Sequence, residues 1–317
     1  MPKPRTLFMG TPKFAVPALT GLVKHGYPVI GVVTQPDRPR GRGQAPAPSP
    51  VKVLADALGL ALFQPEQVRH PSFLETFRDL APDLVIVAAF GQILPKVFID
   101  PPRLGCINIH PSLLPKYRGA APINWALIRS EEKTGVSIMR MDEGVDSGDI
   151  LLQEETPIGP AETYGALHDR LAAMGAELLL IALAMLQAGA LQPLPQDDRL
   201  ATTAPRLSRE DGRIRWENDH HGIVALIRGL SPHPCAYTTL DGKNLKIFIA
   251  SAQRADVTEP PGTVCGETAA GLRVAAANGY VLPQEVQLEG KKRLQIRDFL
   301  RGVRIDPGKV FGEEKAI

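Results

Sequence analysis

Four stretches in the first third of the chain run apolar without the polar alternation of a half-exposed strand: RTLFMG (5–10), YPVIGVVTQPD (27–37), DLVIVAAF (83–90) and LGCINIH (104–110). Strands of that kind are covered on both faces, as in a parallel sheet. Between them, KFAVPALTGLVKHG, VKVLADALGL and FLETFRDLA repeat their apolar residues at helical spacing, the first stopped by Gly26. The alternation predicts an α/β domain with a Rossmann-like, doubly wound, mostly parallel sheet. TGVSIMRM and GDILLQEE are two further strand candidates around the acidic loop DEGVDSG, and residues 163–186 have a helical pattern closed by Gly189.

The stretch QPLPQDDRLATTAPRLSRED (192–211) is polar, broken by proline and without period. Beyond it GRIRWE, CAYTTLDGKNLKIFIA, GTVCGET, GLRVAAANGYVLPQEVQLEG and KKRLQIRDFLRG read as short strands, with turn dipeptides Asp241-Gly242 and Asn278-Gly279. The expected organisation is an α/β domain over 1–189, a linker over 190–208 and a small C-terminal β-barrel, OB-like, over 209–317.

Composition narrows the classes. With 44% hydrophobic residues, 317 residues bury a substantial core. The net charge of +2 leaves any acidic partner to local clustering. Cys106, Cys235 and Cys265 are too far apart for a thiolate metal site or a disulfide framework, which points to a reducing, cytoplasmic setting. The N-terminus lacks a signal-type apolar region. The apolar stretch AELLLIALAMLQAG falls short of the ~20 residues that span a bilayer. No membrane partner is expected.

The chemistry gathers in NIHPSLLPKYRGAAP (108–122). Asn108 and His110 share one face of an extended segment while Ile107 and Ile109 face the other way. They could cap a strand end. They could also give an amide N–H and an imidazolium N–H to one developing oxyanion, where each such donor is worth roughly 2.7–4 kcal/mol of transition-state stabilisation. That suits acyl transfer at the carboxyl edge of an open sheet. An imidazole so used needs a carboxylate, and DEGVDSG offers Asp146 between Gly144 and Gly148. Gly144 at the third position breaks the calcium-loop pattern, so no metal is expected. Two alternatives remain: Cys106, on the same face, as a nucleophile, and a dinucleotide site with Asp37 as its ribose acid, although MGTPKF lacks the glycine fingerprint.

INIHPSLLPKYRGAAPINWAL with TGVSIMRMDEGVDSGDIL resembles the folate-dependent formyltransferases, and FMGTPKFAVPAL, TQPDRPRGRG and ATTAPRLSREDGRIRW extend the likeness to their tRNA-directed branch over nearly the whole chain. The resemblance implies an enzyme that moves a formyl group from 10-formyltetrahydrofolate to the α-amine of methionyl initiator tRNA, and a monomer is expected. It places the catalytic roles on Asn108, His110 and Asp146. It places the folate against Ser112, Leu113, Leu114 and Pro115, with the pterin near Gln92, Ile93, Leu94, Asp142 and Gly144. The loop 35–52 would meet the tRNA acceptor end through Arg38, Arg40 and Arg42, although QAPAP follows GRG where many relatives carry lysines. The tail 289–310 holds seven Lys/Arg against three Asp/Glu, and Lys291, Lys292 and Arg293 are its expected phosphate contacts.

Overall fold

The computed structural model describes residues 2–40, 45–268 and 271–312. In chain order its elements begin β1 (Thr6–Gly10), α1 (Val16–Lys24), β2 (Val29–Val33), β3 (Arg38–Arg40), β4 (Ala45–Ala47), α2 (Pro50–Ala57), β5 (Leu62–Phe63) and α3 (Pro71–Leu80). They continue with β6 (Leu84–Ala88), α4 (Lys96–Ile99), β7 (Cys106–His110), α5 (Pro122–Ile128), β8 (Lys133–Arg140), β9 (Ile150–Pro157) and α6 (Tyr164–Gln187). Seven strands make one sheet in the order β5-β2-β1-β6-β7-β8-β9. The pairs from β5 to β7 are parallel, while β7–β8 and β8–β9 are antiparallel. Every residue of β1 and β6 is buried, as their unbroken apolar runs require.

Ile107 and Ile109 point to the face of β7 opposite Asn108 and His110. A Cβ on Gly175 of α6 would lie 2.8 Å from the Ile109 side chain, so only glycine lets the helix press onto the reverse side of the strand. The polar face of β7 is thus held from behind by close packing.

The chain forms two compact units that interleave in sequence. The first comprises residues 1–120, 133–157 and 168–204; the second comprises 121–132, 158–167 and 205–317, so α5 and the first turn of α6 belong with the C-terminal strands. The polar stretch after α6 does not hang free of the first unit. Leu194 exchanges both backbone hydrogen bonds with Ile150 at 2.9 Å, and the backbone of Arg118 bonds to Thr202 and Ala204.

The second unit continues with α7 (His220–Leu230), β10 (Ala236–Leu240), β11 (Lys243–Arg254), β12 (Val264–Thr268), β13 (Gly271–Ala276), β14 (Gly279–Leu288), β15 (Leu294–Gln295) and α8 (Ile296–Gly302). The strands form one antiparallel sheet, β10-β11-β14-β13-β12, with β15 added to β14. Register shifts between Ile247 and Ala250 bend the long strand β11, as bulges do in barrel-like sheets. Its core gathers Trp216, Ile227, Ile247, Val274, Val286 and Phe299. Asp241 and Gly242 are the two-residue β10–β11 turn, both left-handed at φ +51° and +72°, which type I′ geometry demands. The next turn is displaced by one residue from its expected place. Ala276 pairs with Gly279, so Ala277 and Asn278 make the loop. Gly279 is there for space, since a Cβ would sit 2.6 Å from the Gln253 carbonyl. Among the described residues no helix is long and apolar enough to cross a membrane.

Candidate active site

At the carboxyl end of β7, Asn108 Nδ2 donates to Asp146 Oδ1 at 3.3 Å, and His110 Nδ1 lies 3.5 Å from Asp146 Oδ2. The structure therefore brings together all three side chains that strand alternation and loop chemistry single out. The His110 ring is almost dry, its side chain 4% exposed, while the Asp146 side chain keeps 17%. His110 Nε2 donates to the Tyr117 carbonyl at 2.9 Å, and Asp146 Oδ2 also accepts from the Gly119 N–H at 2.8 Å. An acceptor stands at each ring nitrogen, so the surroundings offer hydrogen bonds to both N–H groups of an imidazolium. With Nε2 committed to Tyr117, Nδ1 is the nitrogen that faces the carboxylate.

This geometry rests on two left-handed residues, Tyr117 at φ +62° and Asp146 at φ +52°. Such backbone is uncommon outside glycine and persists where its surroundings over-determine it. Gly144 and Gly148 are needed for room rather than for that conformation. A Cβ on Gly148 would come within 2.0 Å of the Arg140 carbonyl, and one on Gly144 within 2.0 Å of Ser147 Oγ. The three acids of the loop do not converge on one point. Asp142 Oδ1 accepts from Gly144 N at 3.0 Å and Ser147 Oγ at 2.9 Å, Glu143 pairs with Lys96 at 2.7 Å, and Asp146 is engaged as described.

The segment 112–115 is a tied scaffold. Ser112 is fully buried, donating to the Lys116 carbonyl at 2.7 Å, and its own carbonyl accepts from Ser137 Oγ at 2.6 Å. Ser137 Oγ in turn accepts from Leu114 N at 3.1 Å, and Gln153 Nε2 reaches the Leu114 carbonyl at 3.1 Å. Leu114 packs on Met139 and Ile150, Leu113 is half-buried, and the Leu114–Pro115 bond is cis. Of the 92–94 segment, Gln92 is spent holding its own loop, to Val68 N and the Glu66 carbonyl, and Leu94 is core. Ile93 is 68% exposed and is the one with a free apolar surface.

A cleft of about 450 Å³ opens beside this face, lined among others by Ile99, Leu104, Cys106, Arg140, Met141 and Asp142. It meets β7 at Cys106, two residues before Asn108 on the same side of the strand, and has room for a flat bicyclic ring. Cys106 is fully buried, and burial pushes its thiol well above the usual range. A thiol so buried is a poor nucleophile, which counts against the covalent alternative. Asp37 is equally unavailable as a ribose acid. Lys52 pairs with it at 2.6 Å and Gln64 Nε2 donates at 2.9 Å, and these bonds hold its carboxyl below the ordinary range.

The basic loop is more regular than its composition implies, with β3 and β4 paired as a short hairpin and Lys52 turned inward to Asp37. Arg38 is exposed on that hairpin. Arg42 and the Arg40 side chain lie outside the described residues. In the tail, Lys291 and Lys292 are exposed, whereas Arg293 is bound to Glu285 at 2.5 Å and lies 4.0 Å above the Phe248 ring. Arg301 and Arg304 pair with Asp298 and Asp306. Asp298 and Asp306 are already in the segment's count, so the acids from outside it, Glu285 for Arg293 and Asp241 for Lys309, lower its surplus of positive charge from four to two.

Residues 5–183 match the family described as formyl transferase, and residues 206–304 match formyl transferase, C-terminal domain. The chain belongs to the formyl transferase family. Its relatives include the methionyl-tRNA formyltransferase of Syntrophus aciditrophicus (strain SB), 55% identical over 312 residues that cover 98% of this chain and all of that one. The methionyl-tRNA formyltransferase of Geotalea uraniireducens (strain Rf4) is 50% identical over 310 residues, 98% of either chain. Among solved structures, HypX from Aquifex aeolicus in complex with tetrahydrofolic acid has the same fold, with a TM-score of 0.66 and 19% identity over 96% of this chain and 49% of that one. In this formyl transferase, the residues that sequence reasoning passes over are Tyr117, Gly119, Arg118 and Gln196. Their contacts join segments more than 80 positions apart, as between Tyr117 and Thr202, and no local period or composition marks them.

Proposed function

We propose that the chain transfers the formyl group of 10-formyltetrahydrofolate to the α-amino group of methionyl initiator tRNA. The observation that carries this reading is the 55% identity to a methionyl-tRNA formyltransferase across 98% of the chain, which takes in both units.

The neutral amine attacks the formyl carbon directly. The oxygen of the tetrahedral species takes the Asn108 amide hydrogen not given to Asp146, together with His110 Nδ1–H, since Nε2 is held by Tyr117. Asp146 orients His110, balances its charge and passes the amine's proton toward water, to which its partly exposed side chain has access. The departing tetrahydrofolate nitrogen regains a proton, so neither a covalent enzyme intermediate nor a metal is required. The pteridine is assigned to the cleft bounded by Cys106, Met141 and Asp142, and Ile93 and the 112–115 segment, which do not line that cleft, are assigned to the rest of the folate. Arg38, Arg40, Arg42, Lys291 and Lys292 are assigned to tRNA, and Arg293 to the support of the surface beneath them. The protein acts as a monomer in the cytoplasm, where charged tRNA is available.

Incubation with 10-formyltetrahydrofolate and either methionyl initiator tRNA or the uncharged form tests this. Formylmethionine is expected after deacylation of the charged tRNA and no formyl transfer to the uncharged one. Absence of product, or comparable formylation of an amino-sugar nucleotide, would overturn the reading.

A further inference from the structure

Residues 194–204 stand in for a linker by composition, yet they form the wall behind Asp146. Gln196 Nε2 donates to the carbonyls of Asp146 at 2.9 Å and Gly148 at 2.7 Å. Its Oε1 accepts from Arg118 Nε at 3.0 Å and Nη2 at 2.9 Å. Because guanidinium only donates, the amide orientation is unambiguous, and all four of its hydrogen-bonding capacities are used. Arg118 is fixed further by Asp198 at 2.7 Å and by backbone bonds to Thr202 and Ala204.

The same strap braces the other partners of the site. Thr202 Oγ1 accepts from Tyr117 N at 2.9 Å, and Tyr117 supplies the carbonyl that receives His110 Nε2–H. The Ala204 carbonyl lies 2.7 Å from where a Cβ on Gly119 would be, and Gly119 N–H holds Asp146 Oδ2. Asp146 sits in left-handed backbone, and Gln196 grips the Asp146 carbonyl and that of Gly148 two residues on. Strained backbone of that kind needs such outside support.

We propose that Gln196, locked by Arg118, is a positioning residue that sets the Asp146 carboxylate, and that the 194–204 strap is a working part of the active site. This rests on the formyl-transfer reading for its kinetic arm. Gln196→Glu keeps the acceptor for Arg118 but removes both donors to the loop; Gln196→Ala removes the clamp altogether. Both variants of the full-length protein are expected to lose kcat by about 10- to 100-fold, the scale of a misplacement near 1 Å, with the KM for the formyl donor and the affinity for methionyl-tRNA nearly unchanged. The 15N resonance of His110 Nδ1 is expected to move in both, reporting a displaced carboxylate, while thermal melting shows a folded protein. Wild-type kcat in both variants, or an unmoved Nδ1 resonance, would overturn the proposal. If the wild-type protein formylated nothing, the function would be wrong, and the resonance would still decide whether Gln196 positions Asp146.

Discussion

The end of β7 and the cationic run at 289–310 are both rich in polar side chains, but in the first they converge and in the second they disperse. Asn108, His110, Tyr117, Gly119 and Gln196 are all tied to Asp146 or to its partners within 3.5 Å. In the tail, three arginines meet three different carboxylates: Arg293 with Glu285, Arg301 with Asp298 and Arg304 with Asp306. Residues sharing one network act as a unit, whereas separated pairs contribute independently.

The largest effects follow from breaking the convergent set. His110→Ala and Asp146→Ala are each expected to lower kcat about a thousandfold, and the double variant no further than the worse single one. Multiplicative losses in steady-state kinetics would show that the cluster is only a collection of neighbours. Next in size is Gly148→Ala, which drives a Cβ into the Arg140 carbonyl and displaces the loop on which Asp146 rides. A loss of about a hundredfold in kcat is expected, with the second unit's melting unchanged.

Smaller effects belong to the dispersed set. Removing Lys291 and Lys292 together should weaken methionyl-tRNA binding by a few fold and lower the slope of log affinity against log salt by about 2, one for each phosphate left without its lysine. Arg301→Ala should leave that slope nearly unchanged, because Asp298 already neutralises the guanidinium. A titration in which both variants behave alike would erase the distinction between free and paired cations. The smallest effect is expected at Cys106. Burial keeps its thiol protonated, so the native protein should resist alkylation there at pH 8 and react after denaturation, and Cys106→Ala should retain most of its turnover.

The parts of this molecule that a sequence reader reaches are those governed by short-range rules. Alternation alone puts Asn108 and His110 on one face, and unbroken apolar runs give the parallel core of β1, β2, β6 and β7. Charge counting overstates the tail, since whether Arg293 meets phosphate or Glu285 depends on how β14 and β15 pair. Composition likewise marks 192–211 as a spacer, while the bonds from Gln196 to a loop 50 residues earlier exist only in the folded chain. The short hairpin of β3 and β4 escapes a periodicity reading for a related reason. It buries little, so no hydrophobic alternation announces it.

First-turnover formylation of methionyl initiator tRNA by the Asp146→Asn variant, at saturating 10-formyltetrahydrofolate, probes the convergence most directly. The asparagine keeps the size of the side chain and one acceptor for Gly119 N–H but takes away the charge facing His110. A rate constant lowered by about a thousandfold, with substrate affinities retained, is the predicted result. A rate within tenfold of wild type would contradict the role given to the carboxylate and to the side chains gathered around it.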